Sequence, residues 1–218
     1  MPFILGALRR FCGAVLVVGR HRQFDERDAL EAALKVFWQK GYEGTSFEDL
    51  TRATGVARPG LYTAFGNKEA LFRKALDLYG TKYVGYMTEA LDEPTSLAVV
   101  TRILRECARV QTLHRDHLGC LGLNGALACS DNNERIRLVL VERRAVMQVG
   151  LCHRLEQARR EGDLPGDTDC AALAAYVMVV IQGMGVQAKS GASRKTLDTV
   201  VDQVLMTWPG VEQPQARH

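Results

Sequence analysis

Two sets of side chains in this 218-residue chain have types and spacings that could do chemistry. The first is sulfur and imidazole: Cys107, Cys120 and Cys129 with His114, His117 and His153. Thiolate can act as a nucleophile, and thiolate and neutral imidazole together bind transition metals. The spacing speaks against both uses, because His114-x-x-His117 and Cys120 run through an expected loop and no carboxylate stands ready as an orienter. No catalytic residue, metal or cofactor is expected. A metal- or thiol-sensing role for these residues is kept as an alternative to the main reading, with a helical enzyme behind it. The second set is Arg58, Gly60, Thr63 and Ala64, on a short segment between Gly55 and Gly66. A groove about 12 Å wide accepts a helix whose outer side chains suit base edges. Small residues with one Arg and one Thr meet that condition.

The elements that must position this second set are helical. Leu30, Ala33, Leu34, Phe37 and Trp38 follow the i, i+3, i+4, i+7, i+8 spacing of one helix face, with Asp25 as cap and Gly41 at the end. Thr45-Ser46-Phe47-Glu48 reads as a capping box in which the Thr45 hydroxyl meets the Glu48 amide. It opens a second helix with Phe47 and Leu50 inward. Gly55 stops it, because a residue without Cβ takes the left-handed turn conformation at no cost. Residues 58–65 form a third helix with Pro59 in its first turn and Leu61 and Phe65 inward. Asn67 caps a fourth helix over residues 68–86. A helix ended by glycine, a short turn and a second short helix make a helix-turn-helix over residues 45–65, whose second helix enters the major groove.

Beyond Asp92-Glu93-Pro94 the helices lengthen, and a domain change is placed there. Helices are expected over 96–113, 119–128, 133–162, 168–189 and 193–208. The segment 171–181 is apolar all round, which implies burial against both its own core and another subunit. The fold class is all-α, with a DNA-binding domain at 22–82, a regulatory and dimerisation domain at 94–208 and a flexible tail at 209–218. Gly119-x-x-Gly122-x-x-Gly125 lacks a preceding strand, so it is read as a close helix contact and not as a dinucleotide loop.

Composition bounds these readings. With 47% hydrophobic and 24% charged residues and a net charge of +3, the chain is an ordinary globular one, and its mild basicity cannot by itself establish nucleic-acid binding. Six scattered cysteines, Cys12, Cys152 and Cys170 among them, include no C-x-x-C pair and fit a reducing cytoplasm. Arg9 and Arg10 precede an apolar run at 11–18, but no small-x-small cleavage site follows, and the run falls short of the roughly 20 residues of a membrane span. Residues 1–19 are read as an extension outside the fold, which an upstream start-codon misassignment would explain. The later apolar stretch 170–186 is interrupted by Gln182 and two glycines, is read as short for a span, and no membrane partner is expected.

Residues 24–76 resemble the amino-terminal domain of the TetR/AcrR family of transcription regulators. The resemblance is carried by Phe37-x-x-x-Gly41-Tyr42-x-x-Thr45-Ser46, by Gly55-Val56, by Leu61-Tyr62-x-x-Phe65 and by Asn67-Lys68-Glu69-x-Leu71-Phe72. It implies that Thr45 holds a phosphate at the amino end of the second helix, where free amides and the helix dipole favour an anion. It implies that Tyr62 and Lys68 grip the backbone. Arg58 and Thr63 are the candidates for base contacts, and Ser46, Pro59, Gly60 and Ala64 complete the DNA-facing set. Ala57, Gly60 and Ala64 depart from the family, which usually places Ser or Thr, Ser or Thr, and His at those positions; Thr51 replaces its usual Ala. The resemblance further implies a homodimer on a pseudo-palindromic double-stranded operator, acting as a repressor released by a small molecule. Met147, Leu151, Tyr176 and Met178 are the candidate pocket residues, between the helices beginning near Ser96, Asn133 and Thr168.

Overall fold

A computed structural model describes residues 24–113, 118–127 and 133–210. Among them every regular element is helical. The expectations placed on residues 1–19, on the tail from 211, and on Cys12, His114, His117 and Cys129 lie outside the described residues.

The first helix, α1 (Glu26–Lys40), starts where the Asp25 carboxylate accepts from the amides of Arg27 and Asp28, and it buries Ala29, Ala33, Leu34, Phe37 and Trp38. Three short helices close against it: α2 (Phe47–Thr54), α3 (Arg58–Phe65) and α4 (Lys68–Tyr79). Rings knit them together. Phe72 meets the edges of Phe37 and Tyr42, each at 5.0 Å between centroids, and Trp38 lies edge-on to Tyr79 at 4.8 Å. Asn67 caps α4 by accepting from the Ala70 amide at 2.8 Å.

The fourth helix does not run uniformly to residue 86. It ends at Tyr79 and continues through a π-helical turn, Gly80–Val84, into α5 (Tyr86–Glu89) and a 3-10 turn, Ala90–Asp92. A π-turn admits one residue more than the α-helical repeat, so it rotates everything after it relative to α4. Lys82 on this turn pairs with Glu31 of α1 at 2.9 Å, which ties the turn to the first helix.

The long helices follow: α6 (Ser96–Gln111), α7 (Leu121–Leu127), α8 (Glu134–Arg160), α9 (Cys170–Lys189) and α10 (Arg194–Met206). Arg154, itself buried, donates to the carbonyls of Leu91, Glu93 and Pro94 and so fixes the link at which the domain change was placed. The core forms two clusters. One lies among α6, α8, α9 and α10. The other holds the first four helices together with Val110, Leu118, Leu121, Ile136 and Leu140, so the amino-terminal helices share their core with the rest of the chain. The buried Trp38 Nε1 donates to Gly119 O at 2.8 Å, Asn124 returns a bond to Trp38 O, and Lys189 donates to Gln39 O at 2.8 Å.

The glycine repeat serves this docking. Gly119 has φ +62°, and a Cβ there would stand 2.7 Å from Gly185 O; at Gly125 it would stand 2.8 Å from a Leu140 methyl. Helix α9, at 20 residues, is long and apolar enough in composition to cross a membrane, which corrects the reading of this stretch as short for a span. Ala174, Val177, Met178, Ile181 and Met184 bury one of its faces in the core, whereas Tyr176, Val179 and Val186 of the same helix are exposed within this single chain.

Candidate functional site

The turn between α2 and α3 is set by Gly55, in the left-handed conformation at φ +68°, whose amide donates to Thr51 O. Leu50, Val56 and Leu61 are buried around it and lock the two helices. Arg58, Pro59, Tyr62 and Thr63 of α3 are thereby left exposed.

Those exposed groups are organised. Tyr62 stacks on Phe47 of α2, with ring centroids 4.9 Å apart and planes 17° apart. The Arg58 guanidinium lies over both rings, 4.4 Å from the Phe47 centroid and 5.5 Å from that of Tyr62, and donates to the Tyr62 hydroxyl at 3.3 Å. Phe47, expected inward, is therefore a half-buried shelf under the exposed Arg58 and Tyr62 side chains. An exposed cation–π contact contributes only about 0.5–1 kcal/mol, so the shelf orients Arg58 without committing it. The Thr63 hydroxyl donates to Pro59 O at 2.9 Å, which leaves its oxygen lone pair and methyl outward.

Two positions read as outward are turned in. A Cβ on Gly60 would stand 2.9 Å from a Val56 methyl, so Gly60 faces the turn and its lack of side chain is a packing requirement. Ala64 is half-buried against the amino-terminal core. Thr45 also differs from expectation. It is buried, and its hydroxyl donates to Gly41 O at 2.6 Å; the cap of α2 is Ser46, in a reciprocal box with Asp49.

The start of α2 is electrostatically prepared. Asp49 pairs with Lys40 at 2.6 Å and accepts from Ser46, and these bonds, Lys40 first, hold its carboxyl far below the usual range. Lys68, the first residue of α4, places its ammonium 4.5 Å from the Tyr42 ring centroid. Partial burial lowers its pKa, while the charges of Glu43 and Asp49 work in the opposite direction.

A cavity of about 100 Å³ lies behind this domain, bounded by Leu76, Tyr79 and Gly80, by Val110 and Gln111 of α6, by Leu123 of α7, by Leu140 and Met147 of α8, and by Met178 and Ile181 of α9. Met147 and Met178 are on its lining. Leu151 is instead buried in the carboxy-terminal cluster, and Tyr176 is an exposed residue of α9 that the cavity does not touch. Sequence reasoning missed Gln111 and the stretch 76–84, which carry no polar motif to mark them. Arg143, on the lining, donates to Asp77 and to Leu76 O, so α8 holds α4 at the cavity's edge. Tyr79 and Tyr86 present their hydroxyls to the thiols of Cys120 and Cys107, and burial pushes both phenols and the Cys107 thiol well up. A thiol so raised is a poor nucleophile. Among the described residues no group of three His, Cys, Asp or Glu could hold a metal.

Residues 29–75 match the bacterial regulatory proteins of the tetR family, and residues 99–204 match the tetracyclin repressor-like C-terminal domain. The HTH-type transcriptional repressor ComR of Escherichia coli (strain K12) is 34% identical over 193 residues, 88% of this chain and 92% of that protein. The HTH-type transcriptional regulator YezE of Bacillus subtilis (strain 168) is 30% identical over 190 residues, 86% and 98% of the two chains. Among solved structures, a cysteine mutant of the TetR family regulator CifR, complexed with 26-base-pair double-strand operator DNA, superposes with a TM-score of 0.81 at 38% identity and covers 88% of this chain and 100% of that one. The organised outer face of α3, the two matched domains and these relatives lead to one conclusion: the chain belongs to the TetR family of helix-turn-helix, DNA-binding transcriptional regulators.

Proposed function

We propose that this regulator works in the cytoplasm as a homodimeric repressor on a pseudo-palindromic operator and leaves the DNA when a small molecule fills the cavity behind α4. The carrying observation is the exposed face of α3, where Arg58 rests on the Phe47–Tyr62 shelf. Arg58 makes the bidentate contact to guanine and Thr63 the hydroxyl or methyl contact. Tyr62, Lys68 and Ser46, with the first-turn amides of α2, hold the flanking phosphates. The Lys40 pair offsets the repulsion that Asp49 would otherwise exert on a phosphate there. Pro59 sets the first turn of α3; Gly60 and Ala64 let α3 lie close, and Thr45 braces the turn from inside.

Two recognition helices about 34–36 Å apart address successive major grooves, which requires two copies of the chain. The exposed apolar residues Tyr176, Val179 and Val186 of α9, with Val200 and Met206 of α10, form the face on which the second copy sits. The relative CifR holds operator DNA in its structure, and ComR carries the name of a repressor. Release follows if a ligand prefers a different tilt of α4, whose residues Leu76 and Tyr79 wall the cavity.

The test is a band shift and footprint on DNA flanking the gene, with Arg58→Ala beside the parent protein. The variant is expected to lose about 1–3 kcal/mol on the specific site and to relax selectivity at one base pair. Unchanged affinity and selectivity at controlled salt would remove Arg58 from the reading.

A further inference from the structure

Gln111, at the end of α6, lines the cavity and is only 4% exposed. Its Nε2 donates to Ile181 O at 3.1 Å, which fixes the orientation of the amide. Its Oε1 is buried and accepts from nothing among the described residues. A buried acceptor left empty is costly, and native structures rarely keep one without a use. The neighbouring hydroxyls do not serve it: Tyr79 is engaged by the Leu121 amide and Cys120, and Tyr86 by Cys107. Nor is the space a good home for a water, which needs two to four polar partners, since Leu76, Val110, Leu140, Met147 and Ile181 dominate the wall.

We infer that the effector is a small, largely apolar, uncharged molecule with one hydrogen-bond donor, and that Gln111 Oε1 receives that donor. The inference rests on the regulatory reading of the cavity. A volume of about 100 Å³ is somewhat below the roughly 150 Å³ of an engineered cavity that accepts benzene, so the ligand is the size of a single small ring or a short branched chain. An anion fits poorly. Arg143 is held by Asp77, and a carboxylate or phosphate would turn its lone pairs toward another lone pair at Oε1. A donor on an apolar frame satisfies both the walls and the amide.

The experiment measures binding of phenol and of fluorobenzene, similar in size with and without the donor, to the full chain by calorimetry, for the parent and for Gln111→Met. Gln111→Met keeps the length of the side chain and removes the acceptor, together with the Nε2 donor to Ile181 O. The ratio of phenol to fluorobenzene affinity is expected to fall about fivefold or more in the variant, the loss of one net hydrogen bond. An equal ratio in the two proteins overturns the inference, as does the absence of binding by both ligands at millimolar concentration. Should the variant not fold, the parent decides. A hydroxyl without a partner pays for leaving water, so phenol binding more weakly than fluorobenzene overturns the inference and phenol binding at least as well supports it. Operator titrations with each ligand separate the two readings. Donor-dependent binding that leaves operator affinity unchanged keeps Gln111 and defeats effector control. Release of operator by both ligands alike keeps effector control and defeats the role of Gln111.

Discussion

Lys68 packs on an aromatic ring and is proposed to hold a phosphate as well. Its ammonium lies over the Tyr42 ring, and the half-buried charge stands near the start of α2, where Ser46 is exposed. A phosphate contact is blind to sequence, so Lys68→Ala should weaken operator and unrelated DNA alike and reduce the slope of log K against log salt by about one per protomer. Titrations between about 50 and 200 mM salt measure this, and an unchanged slope would leave Lys68 a packing residue only. At this scale the sequence was legible where one residue type had one use: Asp25 and Asn67 cap where they should. It was ambiguous where two solutions were written side by side. Thr45 with Glu48 and Ser46 with Asp49 are both hydroxyl and acid at the right spacing, and packing decides by burying Thr45 against the Gly41 carbonyl. Gly60 misled for a related reason, since no pattern reveals that a Val56 methyl fills the space of its missing Cβ.

The elements depend on a small number of charged joints. Asp49 joins α2 to α1 through Lys40, and its folded carboxyl titrates far below the unfolded value near 3.9. A depressed carboxyl contributes stability that is complete above the unfolded pKa and is lost as the pH falls below it. Asp49→Asn should therefore lower the urea midpoint at pH 7, and the gap from the parent should narrow below about pH 4. A gap independent of pH would assign the effect to the cap alone. Helix existence was readable from periodicity, because stripes such as Ala33, Leu34 and Phe37 have no second interpretation. The break at Gly80 was not, since the apolar spacing continues through the π-turn and only the backbone shows the extra residue. The cavity was half readable: Met147 and Met178 belong to it, while Leu151 and Tyr176 occupy the same helices but other faces.

For the molecule as a whole, α9 is apolar on both faces, and this one chain covers only one of them. Val179, 66% exposed, sits on the uncovered face. Val179→Glu would bury a charge between two copies, a cost of several kcal/mol without a partner. The expected outcome is a monomer by light scattering, with helicity by circular dichroism retained and operator binding lost. A variant that stays dimeric would move the subunit contact elsewhere. The shared amino-terminal core has a further consequence for engineering and for evolution. Trp38 reaches Gly119, and Leu118, Leu121, Ile136 and Leu140 complete the cluster beneath the reading helices, so the two halves are not interchangeable cassettes. A chimera that grafted this reader onto another regulator's sensing half would have to bring those residues along, and in natural descent substitutions on the two sides of that seam must keep step with one another.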